Sequence, residues 1–175
     1  MIGTSAAIGA QIRAEEPGDR AGIRAVHRAA FGREDEATLV DSLRQSAGAR
    51  VSLVAHQDGE IVGHVYVAEV SVGEGHHPAM GLGPVGVLPA LQRAGIGASL
   101  CVAALEACRA AGHRAVFVLG HPEYYPRLGF VPASAHGLLY RSPELAPAYF
   151  VAELVPGTLD QLSGKVRYPA AYDDL

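Results

Sequence analysis

Strand and helix patterns alternate along this chain in an order that few folds accommodate. Two segments rich in β-branched residues, Val51 to His56 and Ile61 to Val72, flank the turn signal Asp58-Gly59, which predicts an antiparallel hairpin. A strand over Met80 to Leu88 then leads into a helix and another buried strand, the pattern of a crossover connection. We therefore predict an α/β, or α+β, domain with a mixed, mostly antiparallel central sheet flanked by helices.

Apolar residues at helical spacing predict two helices before the hairpin and one long helix after it. Asp19 is a predicted N-cap for the first helix, and the second spans Asp35 to Ala47, with acidic residues at its start. The long helix runs from Gly97 to about Ala111, and Gly112 ends it. The other predicted elements are strands at Gln11 to Glu15, Ala115 to Leu119 and Tyr149 to Leu154, and a short helix at Pro122 to Leu128.

Length and composition indicate one domain. At 175 residues the chain is long enough to bury a core without disulfides or structural metals. Residues 1 to 10 lack the basic start and the continuous apolar stretch of a secretory signal, so we predict a flexible leader there and a single domain over residues 11 to 175. No uncharged apolar run approaches the roughly 18 residues that span a bilayer, so no membrane partner is predicted.

Charge, cysteine content and histidine spacing argue against a nucleic-acid-binding, a disulfide-bonded or a metal-binding protein. The net charge is -4 with no Lys/Arg run, so we expect no nucleic-acid partner, although one phosphate-bearing cofactor is compatible with it. Cys101 and Cys108 lie seven residues apart on the long predicted helix, too far for a disulfide, and buried reduced thiols suit a cytoplasmic protein. His76 and His77 lack the spacing and companion ligands of a metal site, so no metal is predicted.

The strand before the long helix is unusual, because it carries Gly81, Gly83, Pro84 and Gly86. Glycine and proline both weaken a central strand. Their presence in an otherwise apolar segment predicts either a bulge or a place where another molecule approaches the backbone closely.

A loop with two glycines connects this strand to the long helix. Gly95 and Gly97 allow consecutive backbone N–H groups to point at one spot, and the helix N-terminus adds partial positive charge, so the loop is a predicted anion site with Arg93 at its rim. A dinucleotide loop would need a third glycine where Leu100 stands, and a nucleoside triphosphatase loop would need Gly-Lys-Ser or Gly-Lys-Thr. A nucleotide-dependent oxidoreductase is therefore not expected.

Two motifs in this order resemble those of the GNAT superfamily of N-acetyltransferases. The segment from Gln92 to Gly97 is similar to the signature Q/R-x-x-G-x-G/A, and the segment from Tyr125 to Phe130 is similar to a tyrosine followed three residues later by Gly-Phe. The resemblance in element order covers roughly Gln11 to Leu154. It implies a GNAT-like acyl-CoA N-acyltransferase fold, while the tail with Tyr168 and Tyr172 lies outside the core pattern.

The resemblance implies acetyl-CoA as co-substrate. Its pyrophosphate would lie on the amides of the glycine loop, and its pantetheine arm would pair with the bulged strand like an added strand. The implied cofactor-binding residues are Val85, Gly86, Val87, Gln92, Arg93, Ala94, Gly95, Ile96, Gly97, Ala98, Ser99 and Tyr125.

The resemblance also implies direct transfer of the acetyl group to an amine in a ternary complex. Tyr125 matches the tyrosine that protonates the departing thiolate, although Tyr124 is adjacent, and a phenol with a reference pKa of about 10 suits that role. The general base is open: Glu69 and His121 are the main candidates. The other two candidates are His64 and Glu123.

We therefore expect an N-acetyltransferase that acts on a primary amine of a small molecule or peptide. The alternative is a non-catalytic module that binds or senses acetyl-CoA or a longer acyl-CoA. Variable loops set the acceptor in such folds, so the sequence leaves the acceptor open. It also leaves dimerisation open. His27, on the first predicted helix, is interpreted as a partly buried histidine with satisfied hydrogen bonds.

Overall fold

The computed structural model describes residues 9 to 175, so most of the predicted leader lies outside the described residues. At the end of that predicted leader, Ala10 is 2% exposed and belongs to the core. The described range contains nine strands and three α-helices. The strands are β1 Gln11–Ala14, β2 Arg50–Gln57, β3 Glu60–Val72, β4 His77–Val87, β5 Ala115–Leu119, β6 Val131–Pro132, β7 Leu138–Tyr140, β8 Tyr149–Glu153 and β9 Gly164–Arg167; the helices are α1 Arg20–Phe31, α2 Asp35–Leu43 and α3 Ile96–Ala110.

The strands form one mixed sheet in the order β1-β2-β3-β4-β5-β8-β6, and β9 pairs with both β3 and β7. The pairings β4–β5 and β7–β9 are parallel, and the others between described strands are antiparallel. The predicted mixed, mostly antiparallel sheet with flanking helices is therefore confirmed. No helix within residues 9 to 175 is long and apolar enough to cross a membrane.

The hairpin between β2 and β3 forms where the sequence predicts it. Asp58 and Gly59 occupy its two turn positions with φ angles of 52° and 80°. Two consecutive positive φ angles match the right-handed twist of the flanking strands, which explains why Asp-Gly is favoured there.

Helices cover both faces of the sheet. Val65 and Val67 of β3 belong to the cluster that packs beneath α3, whereas Tyr66 and Ala68 pack with α1 and α2 on the opposite face. This alternation follows from the two-residue period of a strand, and it makes the centre of β3 apolar on both faces.

Three local predictions differ from the structure. The second helix ends at Leu43 rather than Ala47, and the segment predicted as a short helix at Pro122 to Leu128 is only a 3-10 turn, Tyr125–Leu128. Asp19 precedes α1, but its side chain makes no capping bond to that helix. Its carboxylate instead accepts hydrogen bonds from the Arg13 guanidinium and the Glu16 amide, which fixes the turn that enters the helix.

The predicted bulge lies in β4. Val65 pairs with Val85 and Val67 pairs with Leu82, so two residues, Gly83 and Pro84, stand opposite Tyr66 alone. One extra residue on one strand is the definition of a bulge, and it bends that strand.

The parallel pairing of β4 with β5 is short. It runs from Met80 opposite Val116 to Leu82 opposite Val118, and stops where the bulge begins. Beyond that point β4 continues to Val87 along β3 alone. The two strands therefore diverge and leave a cleft at the centre of the sheet.

The C-terminal segment covers one side of this cleft. Strand β9 pairs with the end of β3, at Ser71 opposite Arg167, and Tyr168 follows it onto the sheet. A Cβ atom on Gly81 would lie 2.5 Å from the Tyr168 ring, so a side chain at Gly81 would displace that ring. The tail that the sequence left outside the core pattern is thus part of the packed fold.

Candidate active site

A cavity of about 430 Å³ opens where β4 and β5 diverge. One wall consists of the bulge from Gly83 to Val85, and a second consists of the residues that follow β5, from Leu119 to His121, together with Tyr125. The α1–α2 region supplies Phe31 and Glu36, and the C-terminal part of the chain supplies Tyr168 and Tyr172. The cavity therefore touches four separate parts of the chain, and the break in the sheet brings them together.

Tyr125 is held firmly in the cavity wall. It is 9% exposed, and its ring packs edge-on against Phe130 and Tyr124 at centroid distances of 5.6 and 5.1 Å. A Cβ atom on Gly120 would lie 2.2 Å from the Tyr125 ring, so glycine at position 120 is what allows this ring position. Burial raises the pKa of Tyr125, and the phenol is therefore protonated at neutral pH.

The two main candidates for the general base lie in different places. His121 is exposed and lines the same cavity as Tyr125. Glu69 lines another depression, beside His76 and Arg167, and its carboxylate accepts a hydrogen bond of 3.1 Å from the amide of Ala49. The structure thus brings His121 and Tyr125 together and does not bring Glu69 into their cavity.

The other two candidates are also separated. His64 is fully buried within β3, and Glu123 is exposed in the turn after β5. Neither side chain lines the cavity that holds Tyr125.

The glycine loop has the backbone geometry of a helix N-terminus open to solvent. Gly95 is the residue before α3, with φ 89°, and Arg93 has φ 62°. The helical hydrogen bonds of α3 begin at Ser99, whose amide donates to the Gly95 carbonyl at 3.0 Å. The amides before Ser99 therefore have no carbonyl partner within the helix. The Gln92 side chain donates to the Val87 carbonyl at 3.0 Å and ties the loop to the end of β4.

The described residues contain no group of three or more His, Cys, Asp or Glu side chains placed to hold a metal ion. Cys101 and Cys108 are buried, unbridged thiols on α3, as the sequence predicts. Burial raises the pKa of both thiols to about 12, which leaves them protonated and poorly nucleophilic.

A buried polar cluster behind β4 is the feature that sequence reasoning missed. His27 is fully buried rather than partly buried, and its Nε2 lies 2.8 Å from Nδ1 of His64. His64 Nε2 lies 2.8 Å from the hydroxyl of Ser52, which contacts Glu15. Arg44 donates to the same carboxylate at 2.8 Å. These residues come from five separate segments, so spacing along the chain could not reveal them.

Burial and charge shift the pKa values of this cluster strongly. Burial, with the nearby His64 and Arg44, lowers the pKa of His27 to about 3. Burial alone would raise the pKa of Glu15, but the His64 ring 3.8 Å away, the hydrogen bond from Ser52 and the charge of Arg44 outweigh it and lower that pKa to about 2. At neutral pH the cluster therefore contains an ionised carboxylate and a neutral His27 imidazole.

The fold and site define a mixed-sheet domain in which a glycine loop and the N-terminus of α3 follow β4, beside the point where β4 separates from β5. The chain belongs to the GNAT acetyltransferase family, because the model of the acetyltransferase (GNAT) domain matches residues 11–133. It is accordingly an acyltransferase by family. The match includes both the glycine loop and the segment from Tyr125 to Phe130.

Several relatives agree with this assignment. The N-acetyltransferase YjhQ of Escherichia coli strain K12 is 36% identical over 156 residues, which cover 85% of this chain and 86% of YjhQ. The crystal structure of the GNAT family N-acetyltransferase YhbS from Escherichia coli, in complex with CoA, has a TM-score of 0.90 at 31% identity and covers 99% of this chain and 96% of that one. A GNAT acetyltransferase from Brucella melitensis, in complex with acetyl-CoA, has a TM-score of 0.79 at 36% identity, covering 94% and 98%.

The buried cluster predicts how stability depends on pH. The folded pKa of His27, about 3, is below its usual 6.5, so the unfolded state gains the proton first and the free energy of unfolding falls as pH falls from 6.5 towards 3. By pH 5 this amounts to about 2 kcal/mol. The contribution of Glu15 is lost in a lower window, as pH falls from 4.5 towards 2.

Urea unfolding at pH 5.0 to 7.5 measures this slope. We expect His27→Phe to flatten it and the exposed His77→Gln, as control, to leave it as in the natural protein. An equal slope in the natural protein and in His27→Phe would contradict the assignment.

Proposed function

We propose that this protein transfers the acetyl group of acetyl-CoA directly to a primary amine within a ternary complex. The observation that carries the proposal is the cleft between β4 and β5, with the glycine loop near one end and Tyr125 in its wall. Relatives that match almost the whole chain have been crystallised with CoA and acetyl-CoA. The same cleft in this chain is the natural place for the cofactor.

The pyrophosphate would be held by the amides from Arg93 to Ala98, because these groups precede the first turn of α3 and carry its partial positive charge. The pantetheine arm would lie along Val85 to Val87, where β4 has left β5 and offers backbone groups to an added strand. Such an arrangement directs the thioester towards the bulge, where a β4 N–H can stabilise the oxyanion of the tetrahedral intermediate.

Tyr125 would protonate the departing thiolate. It lines the cavity, and its raised pKa keeps the proton in place until negative charge develops beside it. Cys101 and Cys108 are buried in α3 with raised pKa values, so a covalent acetyl-enzyme is not supported. Direct attack by the amine fits this arrangement better.

The acceptor would enter from the side of α1, α2 and the C-terminal tyrosines. Tyr140, Tyr168 and Tyr172 line this part of the cavity, which makes it largely apolar. Glu36 is 4% exposed and is paired with Arg33, so its charge is already balanced. These walls favour a small amine with an apolar or aromatic body over a polyamine.

The first test is acceptor-dependent release of free thiol from acetyl-CoA. We expect release with arylalkyl or alkyl amines, and formation of the acetylated amine by mass spectrometry. Tight binding of acetyl-CoA without thiol release from small amines or N-terminal and lysine peptides would contradict the proposal and favour a non-catalytic sensing module.

The anion site is tested by Gly95→Asp compared with Gly95→Asn. Both side chains tolerate the left-handed conformation of this position and differ mainly in charge. Because a carboxylate before a helix stabilises the helix but repels a phosphate, we expect Gly95→Asp to fold and to weaken acetyl-CoA binding more than about tenfold relative to Gly95→Asn. Calorimetry measures the affinity, and equal affinity of the two variants would remove the pyrophosphate from this loop.

Tyr125→Phe tests the general acid. We expect kcat to fall by about a hundredfold with acetyl-CoA affinity nearly unchanged, because only the proton donor is lost. Tyr124→Phe is the matched control, since its ring packs against Tyr125 and its hydroxyl is removed in the same way. A fully active Tyr125→Phe enzyme, or an equal loss in Tyr124→Phe, would rule out this role.

A further inference from the structure

Arg141 is the one arginine or lysine among the described residues that line the cavity between β4 and β5. It follows the last residue of β7 and has φ 54°, a left-handed conformation that residues with side chains rarely adopt. Glycine would adopt this angle without a steric penalty. An arginine held in such a backbone beside a cavity indicates a use for its side chain.

The guanidinium of Arg141 is fixed among other cavity residues. Its Nη2 donates to the Tyr172 carbonyl at 2.5 Å, and its Nη1 donates to the Leu175 backbone oxygen at 3.4 Å. The group also lies over the Tyr140 ring, 5.2 Å from the ring centroid. All three partners line the cavity, so the charged end of Arg141 lies at the cavity wall.

These contacts leave donors and charge available for a ligand. A guanidinium has five N–H donors, and two hydrogen bonds are made here. Within residues 9 to 175, the side-chain carboxylate that pairs with Arg141 is that of Asp173. Its oxygen lies 3.8 Å from Nη2, beyond hydrogen-bond distance, and its side chain is 75% exposed. An exposed pair at this distance contributes little, so Asp173 neutralises Arg141 only weakly.

The tyrosines of the same wall have their hydroxyl groups engaged elsewhere. Tyr172 donates its hydroxyl proton to the Gly83 carbonyl at 2.6 Å, and the hydroxyls of Tyr168 and Tyr149 lie 3.1 Å apart. The rings of Tyr168 and Tyr172 therefore offer mainly apolar surface to a ligand. Polar recognition at this wall falls to Arg141.

Tyr172 also relates Arg141 to the bulge of β4. Its hydroxyl contacts Gly83 in the bulge, and its carbonyl contacts the guanidinium. One tyrosine residue therefore spans the space between the bulge and Arg141. A ligand that reaches from a thioester at the bulge to Arg141 needs its amine and its anionic group at opposite ends of the molecule.

The single guanidinium favours a carboxylate over a phosphate. Its fork of N–H donors matches two oxygens of either group. A phosphate monoester carries about two negative charges at neutral pH, whereas a carboxylate carries one. One arginine balances the charge of the carboxylate and only part of the charge of the phosphate.

We propose that the acceptor is a primary amine with a carboxylate at its far end, and that Arg141 binds this carboxylate and determines specificity. This inference rests on the proposed acetyl transfer to an amine. The incoming carboxylate replaces the long contact to Leu175, while the Tyr172 carbonyl continues to support the guanidinium. An acceptor held at its far end presents its amine to the thioester in one orientation, with its apolar body beside the tyrosine rings.

Matched pairs of acceptors test this specificity. The members of a pair share one apolar body and differ by the carboxylate: para-aminomethylbenzoate with benzylamine, and ε-aminocaproate with pentylamine. We expect the natural protein to acetylate the carboxylate-bearing member of at least one pair with a kcat/KM about tenfold higher, chiefly through a lower KM. We expect Arg141→Gln to remove this preference. Arg114→Gln, an exposed arginine that precedes β5 at the end away from the cavity, is the matched control and should keep it.

Equal kcat/KM values within both pairs in the natural protein would overturn the proposal and leave the proposed acetyl transfer intact. A preference that persists in folded Arg141→Gln would also overturn it.

Binding of a carboxylate that lacks an amine gives a second measurement without turnover. With the natural protein saturated with CoA, we expect calorimetry to show that phenylpropionate binds about tenfold more tightly than phenylpropanol, and that Arg141→Gln binds the two equally. The absence of this difference in the natural protein would overturn the carboxylate site even if amines were acetylated. The expected binding without acetylation of any amine would count against the proposed function instead.

Discussion

The pairing between β4 and β5 ends after Leu82 and Val118, and the rest of the site depends on that limit. A parallel pair that continued would satisfy the backbone groups of β4 and close the centre of the sheet. The bulge at Gly83 and Pro84 prevents this, because it bends β4 and removes one N–H donor. The cavity wall, the edge of β4 that no longer pairs with β5 and the approach to Tyr125 all lie beyond this point.

Close packing on both sides explains why β4 and its neighbours carry glycine. Gly81 meets the Tyr168 ring, Gly86 meets His27, and Gly120 meets Tyr125, each at a distance that leaves no room for a Cβ atom. In every case the large side chain belongs to the cavity wall or lies just behind it. Glycine at these three positions therefore leaves room for aromatic and imidazole groups close to the backbone, although glycine weakens the strand at the two positions in β4, Gly81 and Gly86.

Local signals made much of this predictable from sequence. The turn at Asp58, the bulge-prone composition of β4 and the loop before α3 each depend on neighbouring residues, and the structure confirms their backbone form. The end of α2 and the 3-10 turn at Tyr125 differ from the prediction, because tertiary packing rather than propensity decides the length of short elements. The tyrosines of the C-terminal segment and the His27–His64 pair join residues far apart in sequence, so no local pattern predicts them.

The buried imidazole pair lowers the stability of this core relative to an apolar pair of the same shape. An acceptor without a donor costs about 1–3 kcal/mol, and an apolar group of similar shape at His27 would avoid that cost. The adjacent layers of α1, β3 and β4 are otherwise packed with aliphatic and aromatic side chains, so the fold does not require polarity there. Local rules of packing and polar satisfaction are broken most often at functional sites. His27 Nδ1 faces Gly86 of β4, three residues beyond Gly83, the first residue of the bulge, so the costly imidazole pair lies against the strand on which the cleft depends.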